Sequence, residues 1–153
     1  MGHVRQMIHI DAPPDATHAF LTDANRIPEW NSSVVEVKDI KGPLDTVGAS
    51  YTAILKLGGR QLETRWETTR VEGKRFAEFV ASSAAGGSAT STSTLEAADR
   101  GTDLLLEVDY ELPGGFVGGM ADKLFVERAI ERDIKHSLEN VKAICEAEVK
   151  VPA

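Results

Sequence analysis

Short segments in which hydrophobic and polar residues alternate follow one another from the N-terminus to about residue 112. A period of two with β-branched residues is typical of strands. The clearest case has Leu62, Thr64, Trp66 and Thr68 on one face and Glu63, Arg65 and Glu67 on the other. Turn signals rich in glycine, proline and aspartate separate the segments. The pattern predicts about seven strands, near residues 4–10, 33–40, 50–57, 62–68, 76–83, 88–97 and 104–112.

Two short helices are expected between the first two strands. Two adjacent prolines end the first strand, and proline is well tolerated in a first helical turn. Ala16, Ala19 and Phe20 then form the apolar face of a short helix. Residues 25–31 (NRIPEWN) predict one further helical turn, which carries Trp30 outward from its end.

The hydrophobic period changes after the Pro-Gly-Gly turn at residues 113–115. From about Gly118 to Lys150 the pattern predicts one helix of roughly 30 residues, or ~45 Å in length. At 100° per residue its apolar positions form a single stripe of Met120, Ile130, Ile134, Leu138, Val141 and Cys145. A helix of this length with one apolar stripe requires a concave partner surface, which a twisted antiparallel sheet provides.

The predicted fold class is therefore α+β. About seven strands form a curved antiparallel sheet wrapped around the long C-terminal helix, and two short helices follow the first strand. Neither an internal repeat nor a linker interrupts the pattern, so residues 1–153 are expected to form one domain. A domain of this length buries roughly 68–70% of the surface of its unfolded chain, which is enough for a core with a cavity inside.

Charge and cysteine content narrow the classes of partner and the compartment. The chain has 17 basic and 24 acidic residues, a net charge of −7, and the basic residues are scattered among the acids. Nucleic acids and anionic membranes are therefore poor partners. One cysteine excludes an intrachain disulfide. The first ten residues lack the apolar run of a signal peptide, and no stretch approaches the ~18 apolar residues of a membrane helix. We expect a cytoplasmic protein.

Three segments carry a resemblance to a known family: DANRIPEWN at 23–31, YELPGG at 110–115 and ERDIKHSLENVKAICE at 131–146. With the order of strands and helices around them, they resemble the START-like (SRPBCC) superfamily, and within it the polyketide cyclase/dehydrase and coenzyme-Q-binding group. The resemblance spans nearly the whole chain. It implies the helix-grip fold with an internal cavity for a hydrophobic ligand. Members of the group include ligand carriers and aromatase/cyclases, so the resemblance specifies the fold more closely than the function.

Several aromatic and hydroxyl side chains are candidates for the wall of such a cavity. If the sheet is concave toward the long helix, Trp66 points inward between Thr64 and Thr68, and Trp30 lies at the mouth of the cavity. An aromatic wall with a few hydroxyl groups suits a ring-bearing apolar ligand, although ordinary core packing is the alternative. The candidate ligand-binding residues are Trp30, Tyr51, Thr64, Trp66, Thr68, Phe79, Tyr110, Phe116, Met120, Leu124 and Glu127.

Two of these candidates carry groups that could take part in chemistry. Tyr110 shares the inward face of the last strand, so its phenol could bond a ligand carbonyl or donate a proton; a core tyrosine bonded to a nearby carbonyl is equally compatible. Lys123 and Glu127 project along the apolar stripe of the long helix as an i, i+4 pair. They form either a polar end of the cavity, with Glu127 as a base, or a solvated first part of the helix beyond the sheet edge.

The remaining motifs give no sign of a cofactor. The four histidines, His3, His9, His18 and His136, lack the spacing of metal ligands, and the glycine pairs match neither a dinucleotide-binding nor a phosphate-binding loop. We therefore expect no metal and no cofactor. Cys145 on the apolar stripe is expected to be a buried structural thiol. Phe125 points away from the stripe and could mark a dimer contact.

The favoured function is the binding or carriage of a hydrophobic small molecule, lipid-like, quinone or polycyclic, in an internal cavity. An aromatase/cyclase-type enzyme, in which Tyr110 or an acid of the cavity assists proton transfer, is the alternative; no catalytic set is assigned. A protein-interaction module is the third possibility. The chain is expected to act as a monomer or a weak homodimer.

Overall fold

A computed structural model describes residues 2–57, 59–114 and 120–150. The strands are β1 (Gly2–Ile10), β2 (Val34–Lys41), β3 (Ser50–Leu57), β4 (Arg60–Glu72), β5 (Phe76–Ser82), β6 (Ser88–Ala98) and β7 (Gly101–Glu111). The helices are α1 (Pro14–Leu21), α2 (Ile27–Trp30), which follows a 3-10 turn at Ala24–Arg26, and α3 (Met120–Lys150). The predicted α+β helix-grip fold, with two short helices after the first strand and a long C-terminal helix, is confirmed.

The seven strands form one antiparallel sheet in the order β1-β7-β6-β5-β4-β3-β2. Each strand from β2 to β6 pairs with the next strand in the chain, because short turns place consecutive antiparallel strands side by side. Two of these turns contain only two residues, since Leu57 pairs with Arg60 and Ala98 pairs with Gly101. Gly101 is required at its position, because an added Cβ would lie 2.2 Å from the carbonyl oxygen of Ile10.

The inner face of the sheet and the stripe of α3 form the core. Ile130, Leu138, Val141 and Cys145 of the predicted stripe are buried, and Ile134 is partly buried. The largest buried cluster joins this stripe to β1, α1, β6 and β7; its members are Ile10, Ala12, Phe20, Leu95, Leu104, Leu138, Val141 and Cys145. The predicted orientation of α3 is therefore correct over its second half.

The buried face of α1 differs from the one predicted. Thr17, His18 and Phe20 are buried, whereas Ala16 and Ala19 are exposed. Alanine offers little apolar area, so burial of the larger Phe20 sets the rotation of the helix instead. Thr17 accommodates burial because its hydroxyl donates a hydrogen bond to the carbonyl oxygen of Pro13 at 3.1 Å.

Polar contacts hold the short helices against the C-terminal half of α3. Asn140 Nδ2 donates to the backbone oxygen of Trp30 at 3.1 Å. The Arg26 guanidinium bonds both Glu148 on α3 and Glu29, the latter at 3.0 Å, and lies 4.5 Å above the ring of Phe20. Hydrogen bonds that Arg26 donates to Glu148, and to a smaller extent to Glu29, raise the pKa of Arg26 above its ordinary value. Trp30 is thus held at a defined position beside α3.

Folding stability is expected to depend on the ionisation of His9, on β1. Its Nδ1 lies 2.8 Å from Asp103 on β7, and this hydrogen bond raises the pKa of His9 above 6.5, with a smaller contribution from Asp11. A raised folded-state pKa means that the pair stabilises the fold below the unfolded pKa, and that this stabilisation is lost as the pH rises through the folded pKa. In denaturant unfolding across that pH range, Asp103→Asn should reduce the pH dependence, whereas an unchanged profile would contradict the assignment.

Candidate ligand-binding cavity

A cavity of about 210 Å³ lies between the inner face of the sheet and the helices. Strands β3 to β7 supply most of its wall, and α2 and the middle of α3 close it from the other side. Most of the wall is apolar, with side chains such as Leu55, Leu62, Phe79, Leu106, Ile134 and Leu138. The cavity exists because the sheet curves away from α3 while small residues, such as Ala77 and Ala81, occupy the inner face of β5.

Six of the predicted ligand-binding residues border this cavity: Trp30, Tyr51, Thr64, Trp66, Phe79 and Tyr110. Five of them stand on strands, where alternation alone brings their side chains to the concave face. Trp30 comes from the end of α2 and packs between two core clusters. The structure therefore brings together residues that lie up to 80 positions apart in the chain.

Tyr51 and Trp66 form a stacked pair on the cavity wall. They are direct cross-strand neighbours on β3 and β4, with ring centroids 6.3 Å apart and planes inclined by 5°. The Trp66 indole is fixed because its N–H donates to Thr64 Oγ1 at 2.9 Å, and the Thr64 hydroxyl in turn donates to the carbonyl oxygen of Ala53 at 2.9 Å. The pair offers a flat, preorganised aromatic surface to a ring-bearing molecule.

The hydroxyl of Tyr51 has no hydrogen-bond partner among the described residues. Burial raises the pKa of Tyr51 well above its ordinary value, so the phenol is neutral and remains a donor at physiological pH. The indole Nε1 of Trp30 is fully buried and also lacks a partner within the described part of the chain. Leaving a buried donor such as the Trp30 N–H unpaired costs about 1–3 kcal/mol, so this group is suited to an acceptor that the protein itself does not provide, and the Tyr51 hydroxyl is a second donor on the cavity wall.

Tyr110 borders the cavity at the β7 side. Burial raises the pKa of Tyr110 to about 12, and the negative charges of Glu127 and Glu131 act in the same direction. The phenol is therefore neutral at physiological pH and can donate a hydrogen bond. Its ring packs so closely on β1 that a Cβ at Gly2 would lie 2.1 Å from it, which accounts for the glycine there.

The structure places three other candidates away from the cavity. Thr68 is 1% exposed and donates to the carbonyl oxygen of Leu44 at 2.9 Å, because the loop between β2 and β3 covers this part of β4. Leu124 is 53% exposed. It borders a separate recess over β1, together with Glu127, which pairs with Lys123 at 3.9 Å. The first turns of α3 therefore lie over the β1 edge of the sheet, so the expectation of a polar cavity end at Glu127 is not met.

Two further candidates cannot be placed. Phe116 and the side chain of Met120 lie outside the described residues, as does the predicted helix start at Gly118. Ser137, which borders the cavity from α3, already uses its hydroxyl within the protein: its Oγ accepts from the backbone N–H of Ser32 at 2.9 Å and donates to the carbonyl oxygen of Asp133 at 2.7 Å.

Sequence analysis missed three residues at the α1 end of the cavity. His18 on α1 borders the cavity together with Lys74 and Arg75 from the turn between β4 and β5. His18 Nε2 lies 3.3 Å from an Oδ2 atom of Asp45 in the loop between β2 and β3. No periodicity signals this contact, because it joins a helix to a loop and depends on the rotation of α1 about its axis.

Other reactive side chains do not form a second site in the described ranges. Among these residues no three His, Cys, Asp or Glu side chains are grouped so as to hold a metal ion. Cys145 is buried, and burial raises the pKa of its thiol to about 11, with Glu148 adding to the effect. The thiol is therefore a packing group, as its place on the apolar stripe predicts. None of the described helices combines the length and the apolar character that a bilayer span requires.

Comparison with known proteins gives one family and a set of similar folds. The family model described as polyketide cyclase/dehydrase and lipid transport matches residues 1–146. Among curated proteins, none matches the chain in sequence. The protein TTHA0849 of Thermus thermophilus is 16% identical in sequence, with a TM-score of 0.80 over 98% of this chain and 100% of that one.

Two other solved structures extend the comparison. The Zhui aromatase/cyclase of Streptomyces sp. R1128 is 18% identical, with a TM-score of 0.79 over 98% of this chain and 96% of that one. A START superfamily protein of Mycobacterium smegmatis is 11% identical, with a TM-score of 0.72 over 95% and 98% of the two chains. At these identities the structures establish the shared fold, and the family model establishes the family. The chain belongs to the polyketide cyclase/dehydrase and lipid transport family, and its fold is the one it shares with the START superfamily protein.

Proposed function

We propose that the protein binds a hydrophobic, ring-bearing small molecule in the cavity between the sheet and α3. The stacked pair of Tyr51 and Trp66 on a mostly apolar wall carries this proposal. An apolar protein cavity of roughly 150 Å³ is large enough to take up benzene. The volume here, about 210 Å³, therefore admits at least one aromatic ring lying against the indole.

The unpaired donors narrow the class of ligand. The Tyr51 hydroxyl and the Trp30 indole N–H lack acceptors among the described residues. A ligand that carries an oxygen acceptor, such as a quinone, a ketone or a phenol, satisfies the Tyr51 hydroxyl on binding, whereas a plain hydrocarbon leaves it unpaired. Oxygenated ring systems are therefore preferred over saturated chains of the same size.

Intrinsic tryptophan fluorescence tests the proposal directly, because both tryptophans border the cavity. Titration with naphthoquinones, fatty acids and flat polycyclic phenols should quench or shift the emission saturably for at least one class. Trp66→Phe should keep the fold and weaken binding about two- to tenfold, since an aromatic contact contributes about 0.5–1.5 kcal/mol. Because Trp66→Phe also removes one of the two fluorescent side chains, the affinity of this variant should be measured by calorimetry.

Glu63→Gln is the matched control for this titration, because Glu63 is the exposed neighbour of Thr64 on the outer face of β4. It should bind as the wild-type protein does. If no compound class gives saturable binding to the wild-type protein, the proposed function is wrong.

An aromatase/cyclase-type reaction is the second candidate, favoured by the neutral phenol of Tyr110 on the cavity wall. A carrier returns its ligand unchanged, whereas a cyclase converts a suitable polyketide. Mass spectrometry of a poly-β-ketone substrate after incubation distinguishes the two. A product lighter by one water is expected only of the enzyme. If no such product forms and the bound substrate is recovered intact, the protein acts as a carrier.

We further propose that the protein works in the cytoplasm, as a monomer or a weak homodimer and without nucleic acid. The single buried cysteine suits a reducing compartment, and the net charge of −7 disfavours polyanionic partners. Phe125 on α3 is 63% exposed, so sedimentation at rising concentration is the measurement for a weak self-association through this helix.

A further inference from the structure

We propose that His18 and Asp45 form an acid–base pair at the α1 end of the cavity, which exchanges a proton with an acidic hydroxyl group of the bound ligand. This inference rests on the proposed function, because it requires a ligand in the cavity. It adds a proton-accepting side chain to a wall that is mostly apolar.

The geometry of the pair is that of a histidine oriented by a carboxylate. His18 is 9% exposed, lies on the inner side of α1 and borders the cavity. Because a carboxylate only accepts, the Nε2–H of His18 donates to Asp45 Oδ2 across 3.3 Å. Asp45 follows Leu44, which is buried and whose carbonyl oxygen accepts from the Thr68 hydroxyl, so the loop that carries the carboxylate is held on the sheet.

The second ring nitrogen of His18 is available to a ligand. With the proton on Nε2, the neutral imidazole has its lone pair on Nδ1, which makes that atom the acceptor. Nδ1 has no partner among the described residues, and it is not one of their fully enclosed polar atoms. A buried histidine with one nitrogen paired to a carboxylate and the other open is the arrangement that general bases use.

At the α1 end of the cavity, the basic side chains are paired with acidic ones, and these pairs are exposed to solvent. Lys74 and Arg75 border the cavity from the turn between β4 and β5. Lys74 lies 3.7 Å from Asp15 and Arg75 lies 3.7 Å from Glu72, which also pairs with Arg70 at 2.7 Å; Lys74, Asp15 and Arg75 are largely exposed and Glu72 is 40% exposed. Exposed pairs of this kind contribute little to stability, so the two cations can turn toward a new anion in the cavity mouth.

The step is a simple proton transfer. The O–H bond of the ligand breaks and its electron pair stays on the oxygen, which becomes an anion; an N–H bond forms at His18 Nδ1. The resulting imidazolium is balanced by Asp45, and the new oxyanion lies near the cations Lys74 and Arg75. The reverse step returns the proton, so no further reactant is consumed.

A phenol whose anion absorbs visible light, 4-nitrophenol, tests the pair. With saturating wild-type protein, the bound probe should ionise about 1–3 pH units below the free probe, the size of shift that a nearby opposite charge produces. His18→Gln keeps a polar side chain but cannot take up the proton, so its bound probe should ionise at a higher pH than the probe bound to the wild-type protein, and only the shift due to Lys74 and Arg75 should remain. Asp45→Asn, which alters the positioning residue, should give a smaller shift while probe binding persists.

The outcomes separate this inference from the proposed function. If the wild-type protein does not bind the probe or any other ring compound, the proposed function fails. If it binds the probe but ionisation is the same in wild-type protein and His18→Gln, the acid–base pair is wrong. Should His18→Gln not fold, nitrogen NMR of the His18 ring in the wild-type protein decides: protonation of Nδ1 on probe binding supports the pair, and an unchanged spectrum overturns it.

Discussion

Replacing Leu138 by alanine is expected to lower the free energy of unfolding by about 2–5 kcal/mol. Leu138 is 3% exposed and joins α3 to the cluster that contains Ile10, Phe20 and Leu104. It also borders the cavity, so the space left by the missing side chain adds to an existing void. The strands around it are held by the sheet and collapse only partly, which places the cost toward the upper part of the range. Urea unfolding measures it.

His136→Ala is the matched control, two residues away on the exposed side of the same helix. It should change the free energy of unfolding by no more than about 0.5 kcal/mol, because substitutions at exposed helix positions without partners have small effects. Equal costs for the two variants would show that the assigned buried face of α3 is incorrect.

Ser91→Phe is expected to weaken ligand binding by at least about tenfold, which corresponds to 1.4 kcal/mol. Ser91 stands on the inner face of β6, opposite Phe79, and borders the cavity. A phenyl group at this position occupies the space that a ligand requires. Filling an existing void forces fewer clashes than adding atoms to a packed core, so the loss of stability should stay below the roughly 1–3 kcal/mol that overpacking costs.

Thr92→Phe adds the same ring to the next residue, which alternation places on the opposite face of the sheet. Its affinity, measured by calorimetry with the best ligand of the fluorescence panel, should equal that of the wild-type protein. Unchanged binding by Ser91→Phe would mean that the ligand site lies elsewhere, for example in the recess beside Gly2 and Glu127.

Most of the fold could be predicted from periodicity. A strand exposes alternate residues to one face, so the positions of Thr64 and Trp66 on the concave side of β4 followed from the pattern alone. The same holds for Tyr110 on β7, and for Leu138 and Cys145 on the buried stripe of α3. Where a strand or helix is long and regular, the spacing of apolar residues in the sequence already defines its buried face.

Periodicity was insufficient where short elements or element ends meet. The rotation of α1 was predicted from Ala16, Ala19 and Phe20, but the two alanines bury too little area to decide it, and His18 was therefore overlooked as a cavity residue. Thr68 does lie on the inner face of β4, but the loop between β2 and β3 covers it. Alternation predicts on which face of the strand a side chain lies, but not which other part of the chain packs against that face.

The sequence by itself determined the order of elements, the concave face of each long strand and the buried stripe of the long helix, because local spacing places apolar groups on one side. Only the tertiary structure decided that the first turns of α3 pack over β1, which leaves Leu124 and Glu127 there instead of in the cavity. It also decided the contact between His18 and Asp45, 27 residues apart. Such contacts depend on the relative positions of separate elements, and packing of the whole core determines those positions.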